Sequence, residues 1–283
     1  MIKVLKAGFY STIQDNGRVG FASKGIPVSG VMDSYAATIS NSILNNSLAN
    51  AVMEITFGGT KLQFLLDTFI CISGGDFSPS LNGEKILMNS KVRIFKNDVL
   101  SFGKINFGVR CYLSVKGGFQ TEEVLGSRSF YQGITETSTI KKGDILSVEK
   151  NCNEFEETNA SVKVLKAHFS SKEIVCYKGP EFDLLKEHQK KDLFEQLFSI
   201  SNDNNRMGYR LNETIKNDLS SILTSAVLPG TVQLTPSGKV IILMRDCQVT
   251  GGYPRVLQLT EKAMNQLSQK TTNKEFRFVL KNF

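Results

Sequence analysis

The 283 residues are 41% hydrophobic and 22% charged, a globular composition with enough apolar length for a sizeable core, which excludes a disordered or fibrous chain. The formal charge of +7 is spread over 25 lysines without a run of five, so it reads as a solvated surface and not as a nucleic-acid groove. No stretch approaches 18 consecutive apolar residues and the start "MIKVLKAGFYSTIQ" alternates like a strand, which argues against membrane spans and leader peptides and makes the cytoplasm the expected location.

In chain order, the first half reads as short strands broken by Gly, Asn and Asp. "VMEITF", "KLQFLL" and "FICISGG" follow one another between Val52 and Gly75, and "RCYLSVKGGF" and "DILSVEK" continue the pattern. One helix is expected here. Asp33 serves as its N-cap, Ala36, Ile39 and Ile43 share one face, and Asn45-Asn46 ends it. The acidic stretch 149–160 loses periodicity and reads as a linker. The second half restarts with "VKVLKAHF" and "EIVCYKGP". A helix is then expected from about Asp192 to Ser199, with Leu193, Phe194, Leu197 and Phe198 as its face. "GTVQLTPSGKVIILMRD" predicts two strands joined by a hairpin turn at "SGK", and "EFRFVL" predicts a last strand. The five cysteines stand singly, and Cys71, Cys111 and Cys176 lie in apolar runs, which predicts buried free thiols in a reducing compartment.

Short phrases occur twice in the same order. "IKVLKAGF" and "DNGRVGF" near the start are echoed by "VKVLKAHF" and "DNNRMGY", and "GGTKLQF" is echoed by "PGTVQL". The repetition predicts a mainly β protein of two tandem barrel-like domains, 1–155 and 161–283, with a few inserted helices, each barrel presenting an arginine-bearing turn.

With only His168 and His188 in the chain, a zinc site or a Ser-His-Asp arrangement is not expected, and neither common nucleotide loop is present. Four stretches carry the remaining polar chemistry. "QDNGRVGFASKGIPVSGVMD" leads into the first helix, where backbone N–H groups and Arg18 suit an anion; an ordered turn with a structural Arg–Asp pair is the alternative. "LGSRSFYQG" offers Ser127, Arg128 and Ser129 beside a glycine as a phosphate or carboxylate cradle. "NNRMGYRL" places Arg206 and Arg210 around Gly208, so that in an extended segment both guanidinium groups face one way. "LMRDCQVTGGYPR" is a buried strand that delivers Arg245, Asp246, Gln248 and Thr250 into a loop. Gly251-Gly252 frees the backbone there and Tyr253-Pro254 stiffens the exit. The purely structural reading stays open for each.

These motifs together, from Val4 to about Phe278, resemble the biotin-dependent carboxyltransferase family, whose members include 5-oxoprolinase and allophanate hydrolase subunits, the carboxyltransferase domain of urea carboxylase and an antagonist of a sporulation-kinase inhibitor. The resemblance implies cyclophilin-like β-barrels, a smaller sister subunit, a third lactam-hydrolase-like subunit and an active site completed between subunits. It also implies ATP-dependent opening of the lactam 5-oxoproline, with ATP and Mg²⁺ used together with the partner. Its alternatives are carboxyl transfer to a urea-like amide from carboxybiotin, or non-enzymatic antagonism of a kinase inhibitor. On that basis Asp246 and Arg255 are expected to be catalytic, Asp246 holding Mg²⁺ or the amide N–H and Arg255 with Arg210 clamping anions. Arg206, Tyr209, Gln248, Thr250, Gly251, Gly252 and Tyr253 are expected around the substrate, and Arg18, Ser127 and Arg128 around an anion or nucleotide. The region after Arg255 departs from the family pattern. Its "KAMNQL" has Asn265 after Met264 where a biotin-bearing lysine would stand, so covalent biotin is not expected on this chain.

Overall fold

The computed structural model describes residues 1–149, 162 and 164–281. Most of the expected linker, with Cys152 and the expected domain boundary, lies outside the described residues. The chain divides into two compact units: Met1–Arg18 with Ser29–Leu165, and Val19–Val28 with Lys166–Phe283.

In the first unit the described residues form eleven strands: β1 (Ile2–Ala7), β2 (Tyr10–Gln14), β3 (Val52–Thr56), β4 (Thr60–Phe64), β5 (Thr68–Asp76), β6 (Ser80–Leu81), β7 (Glu84–Lys85), β8 (Val92–Ile94), β9 (Val99–Ser101), β10 (Phe107–Val115) and β11 (Ile145–Leu146). They form two sheets, ordered β11-β1-β4-β9-β6-β7 and β2-β3-β10-β5-β8. One core takes side chains from both, including Val4, Leu62, Phe64 and Leu100 from the first and Ile13, Ile55, Ile72 and Leu113 from the second. Strands β5 and β10 are buried along nearly their whole length because α1 (Ser34–Ile43) covers the face that the core does not.

Helix α1 starts where the sequence predicts. The Asp33 side chain accepts from Ala36 N–H at 3.1 Å, a cap worth about 1 kcal/mol, and Asn45 turns left-handed at φ 51° just past the end. Its underside is unusually polar. Ser40 and Ser114 hydroxyls lie 2.6 Å apart, and Ser114 donates to Asn41. Beside them, buried Glu54 accepts from Tyr112 Oη and from Met32 N–H, both at 2.8 Å, while Tyr112 Oη accepts from Asp33 N–H. These bonds pin the loop that enters α1 onto the sheet and satisfy the Glu54 carboxylate and the Tyr112 hydroxyl. Burial and then the Glu54 charge raise the Tyr112 pKa well above its ordinary value.

The second unit contains a closed barrel ordered β12-β19-β16-β17-β14-β13-β20. Its strands are β12 (Glu173–Lys178), β13 (Phe198–Asn204), β14 (Gly208–Thr214), β16 (Thr231–Leu234), β17 (Lys239–Leu243), β19 (Arg255–Leu259) and β20 (Glu275–Leu280), with β15 (Ser225–Ala226) and β18 (Thr250–Gly251) forming a separate two-stranded ribbon. Parallel pairing of β12 with β20, at Glu173↔Arg277, joins the first and last strands of the unit. The β16–β17 hairpin turns at Gly238, φ 84°, in the expected "SGK". Among the described residues three α-helices complete the unit: α2 (Ala167–Ser170), α3 (Glu187–Glu195) and α4 (Glu261–Ser268).

Three expectations change. The second-half helix lies earlier, over Glu187–Glu195. Phe198 leaves it for β13, because its ring packs with Phe276 and Phe278 at centroid distances of 6.4 and 5.2 Å. The part of "VKVLKAHF" that is described does not repeat β1, since Lys166 is already helical and leads into α2. The two Asp-Asn phrases also sit on different elements. Asp15 leaves β2 for an extended loop, whereas Asp203 and Arg206 flank the β13–β14 hairpin. The "GGTKLQF" and "PGTVQL" phrases do match locally, each being a glycine turn followed by a strand, β4 and β16.

Candidate functional site

Each arginine singled out from the sequence already holds a protein acceptor. In the first unit, Asp15 fills the expected anion cradle. Its carboxylate accepts from Ser127 Oγ and Ser129 Oγ, both at 2.6 Å, from Arg128 N–H at 2.6 Å and from Gly17 N–H at 2.8 Å. Arg18 is 1% exposed and donates to the carbonyl oxygens of Ser129 and Val124. The Arg128 guanidinium donates to Thr121 O and faces Glu123 at 3.4 Å. The Ser127–Ser129 segment thus closes around an internal carboxylate, Asp15, with Arg18 donating to backbone carbonyls of the same segment. An external nucleotide does not fit this cradle while Asp15 is in it.

In the second unit the hairpin at Asn204–Gly208 is zipped to the end of β17. Asp246 N–H donates to Arg206 O at 2.8 Å and Met244 N–H to Met207 O at 2.9 Å. That register points the Arg206 side chain at Asp246, and Nε and Nη2 reach the two carboxylate oxygens at 2.8 and 2.9 Å. Both residues are buried. The expected convergence of Arg206 and Arg210 does not occur. Tyr209 between them is core, 1% exposed, and Arg210 projects outward to Asp203 at 2.5 Å. Arg245 donates to Glu261 and Asn265 of α4.

The second fork is at the far end of the loop. Arg255 Nε and Nη2 reach Glu181 Oε2 and Oε1 at 2.9 and 2.7 Å, Nη1 donates to Ala226 O at 2.9 Å, and the Arg255 N–H adds a bond to Glu181 at 2.8 Å. Hydrogen bonding from Arg255 lowers the Glu181 pKa below its ordinary 4.5, and Glu181 raises that of Arg255. The carboxylate expected in this fork is therefore Glu181, 74 residues away in sequence, and not a substrate group.

Between the forks, residues 246–255 form a braced loop. Ribbon β15–β18 holds Thr250–Gly251, Ile222 and Val227 N–H groups donate to Gly252 O and Val249 O, and Leu234 N–H donates to Pro254 O. A Cβ at Gly251 would stand 2.6 Å from Gln233 Nε2, so a larger residue there would displace the Gln233 amide. Cys247 is buried, and burial followed by the charge of Asp246 raises its thiol to about 12, so it is an inert thiol. Gln248, Thr250 and Tyr253 contrast with all of these. Their side chains are exposed, and their polar atoms make no hydrogen bond among the described residues. This is a rigid backbone presenting three uncommitted polar side chains, the arrangement that binding an amide or a small polar ligand requires.

Asp246 does not fit the expected Mg²⁺ role, since both of its oxygens already accept from a guanidinium. No group of three or more His, Cys, Asp or Glu residues is placed to hold a metal ion among the described residues. Glu181, Asp203 and Asp15 are the residues that sequence reasoning missed. Asp203 and Asp15 open the two repeated phrases, which was the available signal, whereas Glu181 lies in "KGPEF" without a distinguishing pattern.

The described chain is thus mainly β, with a seven-stranded barrel and a polar loop braced at both ends. Residues 24–280 match the family described as carboxyltransferase domain, subdomain A and B, and the chain belongs to that family. It is 30% identical over 285 residues to the C subunit of the Escherichia coli 5-oxoprolinase, covering 99% of this chain and 91% of the relative. It is 31% identical over 226 residues to urea amidolyase of Lachancea kluyveri, covering 74% of this chain but 12% of that protein. The crystal structure of Kluyveromyces lactis urea carboxylase superposes with a TM-score of 0.87 at 28% identity, over 99% of this chain and 27% of that one.

Proposed function

We propose that this chain is the C-type component of a multi-subunit 5-oxoprolinase and presents the 246–255 loop to the lactam. The observation that carries the reading is the similarity to a 5-oxoprolinase C subunit across 99% of this chain and 91% of the relative. A relative named as a subunit supports a multi-subunit assembly here, with a smaller sister chain and a lactam-hydrolase-like chain as the partners. In this reading the Gln248 amide and the Thr250 hydroxyl donate to and accept from the cyclic amide, and the Tyr253 phenol closes over it. Asp246 and Arg255 act as positioning residues, each fixing one end of the loop. Arg210 is the arginine best suited to a substrate carboxylate. Its pairing with Asp203 is about half exposed on both sides, a kind of pair worth about 0–1 kcal/mol, so an incoming anion displaces it at little cost. ATP supplies the driving force for opening the amide. The nucleotide and Mg²⁺ are assigned to the partner side, because Asp15 and Arg206 already satisfy the groups that would have held them here.

Carboxyl transfer to a urea-like amide is the second reading, supported by the likeness to urea carboxylase. It uses the same amide-binding loop. Mixing the chain with its two partner subunits, 5-oxoproline, ATP and Mg²⁺ tests the proposal. Glutamate formation that depends on this chain supports it, and glutamate formation without the chain rules it out.

A further inference from the structure

Lys270 directly follows the C-cap of α4 and is 6% exposed. Among the described residues its ammonium has one hydrogen-bond acceptor, the carbonyl oxygen of Ser171, and no ion pair. Two further lysines stand beside it. Lys172 precedes β12 and Lys274 precedes β20, and because these strands run parallel, both side chains belong to the same end of the barrel. Neither nearby carboxylate pairs with Lys270: Glu275 faces the rim residue Lys172 at 3.6 Å, an exposed pair that an incoming anion can displace, and Glu173 holds Arg277 at 2.5 Å. A buried ammonium with two lysines beside it and no ion pair of its own among the described residues is unfavourable unless an anion completes it. We propose that the three lysines form a binding site for a phosphate-type oxyanion, Lys270 at its base and the exposed Lys172 and Lys274 at its rim. Burial, and after it the charges of Lys274 and Lys172, lower the Lys270 pKa, in keeping with an uncompensated cation. The site lies on elements outside the 246–255 loop and does not rest on the proposed activity.

The test is thermal unfolding and titration calorimetry of the full chain in low salt with inorganic phosphate, AMP or acetate at matched ionic strength. Phosphate or AMP is expected to raise the Tm saturably while acetate does not, and tighter binding of AMP would identify the phosphate as nucleotide-borne. Lys270→Met, which keeps the buried stem but removes the charge, is expected to abolish the phosphate-dependent shift without lowering the Tm in acetate. The rim variant Lys172→Gln/Lys274→Gln changes only exposed side chains and is expected to weaken phosphate binding about tenfold or more, as two point charges near an anion would. A wild-type chain that responds to phosphate no more than to acetate overturns the proposal. So does a Lys270→Met chain that keeps the shift, or a rim variant with unchanged affinity.

Discussion

Arg255 illustrates how a residue that looks like a substrate clamp becomes a brace. A proline before it and two glycines before that suggest an arginine aimed at a ligand, but its guanidinium and backbone both hold Glu181. Each charge-assisted bond in such a fork is worth about 1.5–3 kcal/mol. Arg255→Lys and Glu181→Gln are therefore expected to lower stability by about 2 kcal/mol each, and their double-mutant cycle to show strong coupling. Chemical denaturation of the four proteins measures this; additive effects would mean the fork is incidental. The pH dependence follows from the sign of the shift. Glu181 has a folded pKa below its ordinary 4.5. Its contribution is fully present above that value and is lost as pH falls through the folded pKa, so wild type should lose more stability than Glu181→Gln on acidification below about 4.5. Arg206–Asp246 is the more buried fork. Asp246→Asn leaves a buried guanidinium short of charge and is expected to cost about 3–5 kcal/mol. Arg206→Met/Asp246→Leu should recover most of that, which a functional metal-binding aspartate would not predict for assembly and folding.

At the scale of elements, what the sequence disclosed depended on whether the signal was local. Asp33, the 36/39/43 stripe and Asn45 lie within a few residues of one another, and α1 forms where they put it. The "SGK" turn was equally local. Helix α4 escapes such a reading because Ala263, Met264, Asn265, Gln266, Leu267 and Ser268 are all buried, so polar residues inside the unit erase the apolar stripe, although Thr260 supplies an ordinary N-cap. The pairing of Arg255 with Glu181 spans 74 residues and depends on β12 and β19 being neighbours, which no local pattern encodes. The candidate loop was legible as a polar segment after a buried strand; which of its side chains stay uncommitted was not. Gly179 makes that element-level coupling testable. It ends β12 against the backbone of Arg255, where a Cβ would run into the Arg255 carbonyl oxygen. Gly179→Ala is expected to cost about 1–3 kcal/mol by forced backbone shift and to loosen the Glu181 fork, seen as faster amide exchange in residues 250–256. An unaffected exchange pattern would show that the loop is braced independently of β12.

For the whole molecule, the similarity to 5-oxoprolinase C subunits and the uncommitted side chains of Gln248, Thr250 and Tyr253 support the proposal that the chain supplies an amide-binding loop to a multi-subunit enzyme. Reconstitution with the two partner subunits, assayed for glutamate from 5-oxoproline and ATP and in parallel for carboxylation of urea by a carboxylated biotin donor, measures it most directly. Gln248→Ala, Thr250→Ala and Tyr253→Phe accompany the wild type as variants that leave both forks in place. The account predicts glutamate formation only when this chain is present, with kcat/KM falling about tenfold or more when Gln248 or Thr250 loses its polar group, as for one lost substrate hydrogen bond, and with melting temperatures unchanged. Turnover of urea in place of 5-oxoproline, or loop variants as active as wild type, would contradict it.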